Sequence, residues 1–259
     1  VSAYLLERAW VGGAVHDDVL VEIEDGRFVR VEAGGPSDSA TRLAGLTLPG
    51  LANCHSHAFH RALRGRTQRG RGTFWTWREQ MYDVAQRLDP DSYLALARAT
   101  YREMAAAGIT CVGEFHYVHH QPGGTPYDDP NAMGHALIEA AKQAGIRIAL
   151  LDTCYLSSGF GAPVESAQSR YSDTDAGRWA SRTTRLRGSD STVIGAAIHS
   201  VRAVPAEQMP TVVDAAEGRP LHVHVSEQTQ ENNDCMAAYG ATPTQLLADH
   251  GVLGPMTTA

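Results

Sequence analysis

Residues 46–60 read Leu-Thr-Leu-Pro-Gly-Leu-Ala-Asn-Cys-His-Ser-His-Ala-Phe-His, an apolar, strand-like run that ends in His55-Ser-His57. Side chains two apart in a strand point to the same side. The two imidazoles can therefore reach one point in space, where the strand gives way to a loop. That suits a zinc-type ion, which binds neutral imidazole nitrogen at ~2.0–2.1 Å. A lone His-x-His also occurs as solvated or core histidines, so a second cluster matters. Residues 220–228, Pro-Leu-His-Val-His-Val-Ser-Glu-Gln, alternate as a buried strand does and carry His222, His224 and Glu227. The plain alternative is a polar strand end in water. Against it, two histidines and a carboxylate stand where a Val-rich run would otherwise be a core strand. A carboxylate beside an ion-activated water is a natural proton carrier.

The elements that must position these groups follow from pattern. Asp25-Gly26, between Val19–Ile23 and Phe28–Val31, is a strong hairpin signal. Residues 34–39 read as a loop, and residues 1–45 as a small β segment beside the main domain. From residue 46 strand and helix alternate. Asp89-Pro90 opens a helix with Gly108 after its end, and the strand 109–117 follows. A helix from about Ala132 ends at Gly145, and strands are expected at 146–152 and 193–199. A helix near 205–217 leads to the His222/His224 strand, and a short helix covers 243–250. Repeated βα units indicate a parallel sheet or barrel. Polar residues close each strand: His55 and His57; Glu114, His116 and Tyr117; Asp152; His199 and Arg202; His224 and Glu227. That end carries the active site of a (β/α)8 TIM-type barrel. No Gly-x-Gly-x-x-Gly follows a strand, which speaks against an open dinucleotide-binding sheet. About five of eight barrel strands are visible, and Met256–Ala259 looks like the run-up to a sixth. The expectation is therefore an α/β chain with an incomplete barrel over 46–259 and part of a small β-sandwich over 1–45.

Bulk properties narrow the function. The 259 residues are 43% hydrophobic and 20% charged, as in an ordinary soluble globule, and the formal charge of −7 argues against a nucleic-acid partner. Four cysteines without a Cys-x-x-Cys pair read as reduced thiols. No signal-peptide pattern or membrane-length apolar run is visible, so a cytoplasmic protein with no membrane association is expected.

With Pro-Gly followed by His-x-His after a β segment, and His224-x-x-Glu227 after the fifth strand, the chain resembles the amidohydrolase superfamily. More closely, His55–Leu63, Phe74-Trp-Thr-Trp-Arg-Glu79, Glu114–His120 and His199-Ser-Val-Arg202 resemble the formiminoglutamate deiminases of histidine degradation. The similarity spans essentially the whole chain. It implies hydrolysis of N-formimino-L-glutamate to N-formyl-L-glutamate and ammonia, with one Zn2+ ion, or Fe2+ in its place. Carried over by motif, His55, His57 and His224 would be metal ligands and Glu227 the proton shuttle. The family also uses a histidine after the sixth strand and a metal-binding aspartate after the eighth, both outside these residues. Where the family commonly has Gln, this chain has His60, which puts the substrate contact at that position in question.

The implied substrate carries two carboxylates. Arg202 can grip one with two parallel hydrogen bonds, with His199 and Tyr117 as further donors. Arg78 can meet the other, or make a surface ion pair. His116, His119 and His120 read as structural. Residues 154–186 form a long polar connection that is either a lid or a surface excursion. Homodimer formation stays open. Two rival functions remain at this level: a superfamily deaminase acting on a purine, pyrimidine or triazine ring, and a metal-binding, catalytically inactive fragment.

Overall fold

The computed structural model describes residues 1–35, 39–67 and 74–259, without the side chains of Phe74 and Trp75. The loop expected at 34–39 and the motif at 74–79 thus lie partly outside the described residues. The chain divides into two compact units, Val1–Leu51 and Ala52–Ala259.

The first unit is a four-stranded mixed sheet. β1 (Ser2–Val11), β2 (Ala14–Glu24) and β3 (Arg27–Ala33) run antiparallel, and β4 (Thr41–Thr47) pairs parallel with β1. Asp25 and Gly26 form the expected two-residue turn, with φ of 49° and 73°. Both central residues of such a turn need positive φ, which matches the right-handed twist of the flanking strands. Leu6, Ala9, Val19 and Val21 form the buried centre of this sheet. β4 straddles residue 45: Leu46 and Thr47 pair with Arg8 and Ala9 of β1.

The second sheet has six strands in the order β10-β9-β8-β7-β6-β5. Its members are β5 (Leu51–Ser56), β6 (Ile109–His116), β7 (Arg147–Cys154), β8 (Thr192–Ile198), β9 (Leu221–Val223) and β10 (Thr257–Thr258). The β6·β7, β7·β8, β8·β9 and β9·β10 ladders are parallel. Between them run α1 (Phe74–Gln86), α2 (Pro90–Ala106), α3 (Ala132–Ala144), α4 (Ala176–Thr183), α5 (Met209–Ala216), α6 (Thr229–Tyr239) and α7 (Pro243–Asp249). α2 begins where the sequence signals it. The Asp89 carboxylate accepts from the Ser92 backbone N–H at 2.8 Å, and the Asp89 N–H donates back to Ser92 Oγ at 2.9 Å. This reciprocal pair satisfies two of the donors left open at a helix start.

The sheet curls. In a flat sheet β5 and β9, four strand spacings apart, would be separated by roughly 19 Å. Yet His55 Nε2 near the end of β5 and His224 Nε2 just after β9 lie 3.3 Å apart. Gly113 keeps β5 and β6 close, because a Cβ there would lie 2.6 Å from the Cys54 carbonyl oxygen. Among the described residues, no helix is long and apolar enough to cross a membrane.

Candidate active site

β5 delivers His55 and His57 to the same side, and β9 ends one residue before His224. Their Nε2 atoms form a triangle: 3.1 Å for His55–His57, 3.3 Å for His57–His224 and 3.3 Å for His224–His55. Donors placed tetrahedrally at ~2.0–2.1 Å from a zinc-type ion are roughly 3.3–3.4 Å apart. The triangle therefore has the size of one face of such a coordination shell.

Backbone carbonyls decide which nitrogen faces the centre. His57 Nδ1–H donates to Phe115 O at 2.9 Å, and His224 Nδ1–H donates to His199 O at 3.0 Å. With the proton on Nδ1, each Nε2 keeps its lone pair for an ion. Burial lowers the pKa of all three rings, assisted at His57 and His224 by neighbouring imidazoles; His224 falls to about 4. They are neutral at pH 7, the form that ligates. Three neutral imidazoles turned to one point, with room beside them for a fourth ligand, fit a zinc or ferrous ion.

The cavity at the triangle has a volume of about 280 Å³. All nine residues given a metal, proton-transfer or substrate role from sequence line it: His55, His57, His60, Arg78, Tyr117, His199, Arg202, His224 and Glu227. His60 Nε2 lies 3.1 Å from Tyr117 Oη, and burial pushes the His60 imidazole down to about 3, so it too is neutral. Ser226 has φ of 55°. This left-handed turn carries Glu227 from the end of β9 to the cavity; strain of this kind is held where the surroundings over-determine the backbone. Burial raises the Glu227 carboxyl pKa, while the Arg202 guanidinium opposes the rise.

Arg202 is not a free clamp. Its Nη2 donates to Glu227 Oε2 and its Nε to Glu231 Oε2, both at 2.7 Å. Glu231, from the first turn of α6, is buried, and its Oε1 accepts from the Ser226 backbone N–H at 3.1 Å. Glu231 thus fixes both the arginine and the loop that carries Glu227. Sequence reasoning missed it, although an acid four residues after Glu227 near a helix start was a usable signal. Five residues of the cavity wall were also missed: Trp77, Met81, Tyr82, Tyr155 and Tyr171.

The expectation that all five polar strand ends share one site needs correction. Along and just after β6, Phe115 packs against the His224 ring and Tyr117 lines the cavity, whereas Glu114 and His116 point the other way, as alternation in a strand dictates. Asp152 pairs in register with His116 and faces that outer side too. There His116, His119 and Asp152 offer ligand atoms close together. Both Asp152 oxygens, however, already accept from Arg182, at 2.8 and 3.0 Å, and Oδ1 also accepts from Trp179 Nε1 at 2.9 Å. A guanidinium fills the place a cation would take.

Residues 154–186 are pinned to the domain. Buried Arg170 donates to Ala85, Leu88 and His120 carbonyls, and Arg182 also holds Asp173. Gln168, Tyr171 and Trp179 are buried as well.

A formimidoylglutamate deiminase of Pseudomonas aeruginosa is 37% identical over 258 residues, 96% of this chain and 57% of that protein. The chain therefore spans little more than half the length of that relative. An amidohydrolase structure from Brucella melitensis superposes with a TM-score of 0.88 at 33% identity, covering 96% of this chain and 57% of the other. A zinc complex of atrazine chlorohydrolase from Arthrobacter aurescens shares the fold, with a TM-score of 0.79 at 21% identity, over 99% and 60% of the two chains. Residues 46–259, from the end of β4 through the whole parallel sheet, match the amidohydrolase family, and the chain belongs to it.

Proposed function

We propose that this chain works as a metal-dependent deiminase on a linear amidine, converting N-formimino-L-glutamate and water to N-formyl-L-glutamate and ammonia. The observation that carries the reading is one cavity combining three ion-ready imidazoles, an Arg-held carboxylate and a second guanidinium, Arg78. The deiminase similarity over almost the whole chain supports the same substrate. His55, His57 and His224 would hold one zinc ion, with Fe2+ as the alternative. When bound, such an ion supplies a water of lowered pKa as nucleophile.

The remaining work falls to the chain's own residues. Glu227 carries protons toward the amidine nitrogen, which must be protonated to leave as ammonia. Burial makes its carboxyl a better proton holder, and Arg202 keeps it from rising too far. Glu231 holds Arg202 in place. Neutral His199 and the Tyr117 and His60 pair supply hydrogen-bonding groups along the substrate. Arg78 and Arg202, which both line the cavity, match the two carboxylates of the glutamate moiety. A neutral purine or triazine ring offers no carboxylate to either guanidinium.

The test is ammonia release by the zinc-loaded full-length protein, with N-formimino-L-glutamate and guanine side by side. Turnover of the first at least a hundred times faster is expected. Equal rates, or preference for guanine, would overturn the dicarboxylate assignment.

A further inference from the structure

Gln168 lies in the 3-10 turn Ser166–Tyr171, within the long connection after β7, and has no solvent-exposed surface. Its amide orientation is determined by its neighbours. Oε1 accepts from the Glu165 backbone N–H at 3.1 Å. The Nε2 group must therefore face the other way, and it donates to Tyr82 Oη at 2.9 Å and Tyr155 Oη at 3.0 Å. Both tyrosines line the cavity.

The polarity of these bonds has a consequence. Tyr82 Oη also accepts from Arg78 Nε at 2.5 Å. A phenol oxygen has one hydrogen to give and limited lone-pair capacity. With two N–H groups on the Tyr82 oxygen, its hydrogen is all that remains to engage. Tyr155 likewise receives from Gln168 and keeps its O–H to donate. Among the described residues, neither hydroxyl has a protein acceptor. Each O–H is thus available to a ligand that only accepts, and the neighbouring Arg78 guanidinium gives that position positive charge.

We propose that Gln168 is the positioning residue of a carboxylate subsite formed by Arg78, Tyr82 and Tyr155, acting by turning both tyrosine hydroxyl hydrogens toward the bound carboxylate. This rests on the reading of the cavity as a dicarboxylate site and deepens it. Gln168 touches no substrate; it sets the direction in which two hydroxyls donate. An acceptor in place of its amide would reverse that direction. The subsite takes a carboxylate rather than an ammonium, because the Arg78 guanidinium and the two hydroxyl hydrogens all present positive charge to it.

The experiment uses the full-length, zinc-loaded protein. For each variant, KM and kcat for N-formimino-L-glutamate are measured, together with calorimetric binding of glutarate, an unreactive dicarboxylate. Gln168→Leu should raise KM and weaken glutarate binding roughly tenfold or more, the scale of losing hydrogen bonds to a charged acceptor, while kcat changes less than threefold. In a Tyr82→Phe/Tyr155→Phe background the same substitution should add less than twofold, since its effect runs through those hydroxyls. If Gln168→Leu fails to fold, Tyr82→Phe and Tyr155→Phe measured singly carry the test, and each should weaken glutarate binding. An unchanged KM and glutarate affinity with wild-type turnover intact overturns the subsite and leaves the deiminase reading standing. Full effects in the tyrosine-free background show a structural role and overturn it too. If the wild type does not turn over formiminoglutamate, the deiminase reading falls. Glutarate then decides the subsite alone: binding weakened by Gln168→Leu sustains it, and no binding to the wild type refutes it.

Discussion

At the ends of β5 and β9 three imidazoles turn Nε2 toward one point, whereas on the outer side of β6 and β7 His116 and His119 lie beside Asp152. The residue types in the second group look the better metal set, because a carboxylate is included. The partners separate the two. In the cavity, carbonyl acceptors hold the Nδ1 protons of His57 and His224 and leave the Nε2 lone pairs free. On the outer side, His119 Nε2 is taken up by the Thr153 carbonyl at 2.8 Å, and Arg182 neutralises Asp152. What surrounds the donors, more than which donors are present, sets whether an ion can be held.

This contrast predicts that His57→Ala or His224→Ala abolishes both bound zinc and ammonia release, whereas His119→Gln leaves zinc stoichiometry at one per chain by elemental analysis. Loss of zinc from the His119 variant would reverse the assignment. Next in size, Glu227→Gln should lower kcat by about 10²–10⁴-fold, the range of general acid–base catalysis, with zinc retained. Steady-state kinetics on the zinc-loaded variant check this, and wild-type turnover would remove Glu227 from the proton path. Asp152→Asn should leave the ion in place but cost about 3 kcal/mol of stability, because Arg182 keeps only Asp173 as a charged partner in a buried site. Urea unfolding measures it; a neutral effect would mean that the outer cluster is not a stabilising ion pair.

The last effect is a pH slope. Burial pushes the Glu114 carboxyl up to about 8, although its Oε1 accepts from the Ala58 N–H at 2.6 Å. Its ordinary value is 4.5. Between these two values the folded chain holds a proton that the unfolded chain has released. This group's contribution is therefore complete below pH 4.5 and falls as pH rises toward 8, by ~1.4 kcal/mol per pH unit. Glu114→Gln mimics the protonated form, so its stability should decline less steeply than wild type over that window. Parallel profiles from unfolding midpoints would contradict it.

Local signals were readable and distant ones were not. The period-two spacing of His55 and His57, the Asp89-Pro90 start of α2 and the Asp25-Gly26 turn each depend on neighbours in the chain, and each stands in the structure. β4 was harder: Leu46 and Thr47 continue into the apolar run of β5, and only pairing with Arg8 and Ala9 assigns them to the first sheet. The sixth strand, Thr257–Thr258, is as slight as the sequence made it look. Gln168 sits in a polar stretch that resembles surface, and its burial depends on Tyr82, 86 residues away. Glu231 is tied to Arg202 across 29 residues. Strand-end polarity grouped Glu114, His116 and Asp152 with the ends that share a site, but polarity does not report which face of a strand a side chain takes.

The most direct test is an anomalous difference map at the zinc edge from crystals of the zinc-loaded full-length protein. One peak is expected, ~2.0–2.1 Å from the Nε2 atoms of His55, His57 and His224. A peak at His116 and His119, or none within bonding distance of the three cavity histidines, would contradict it.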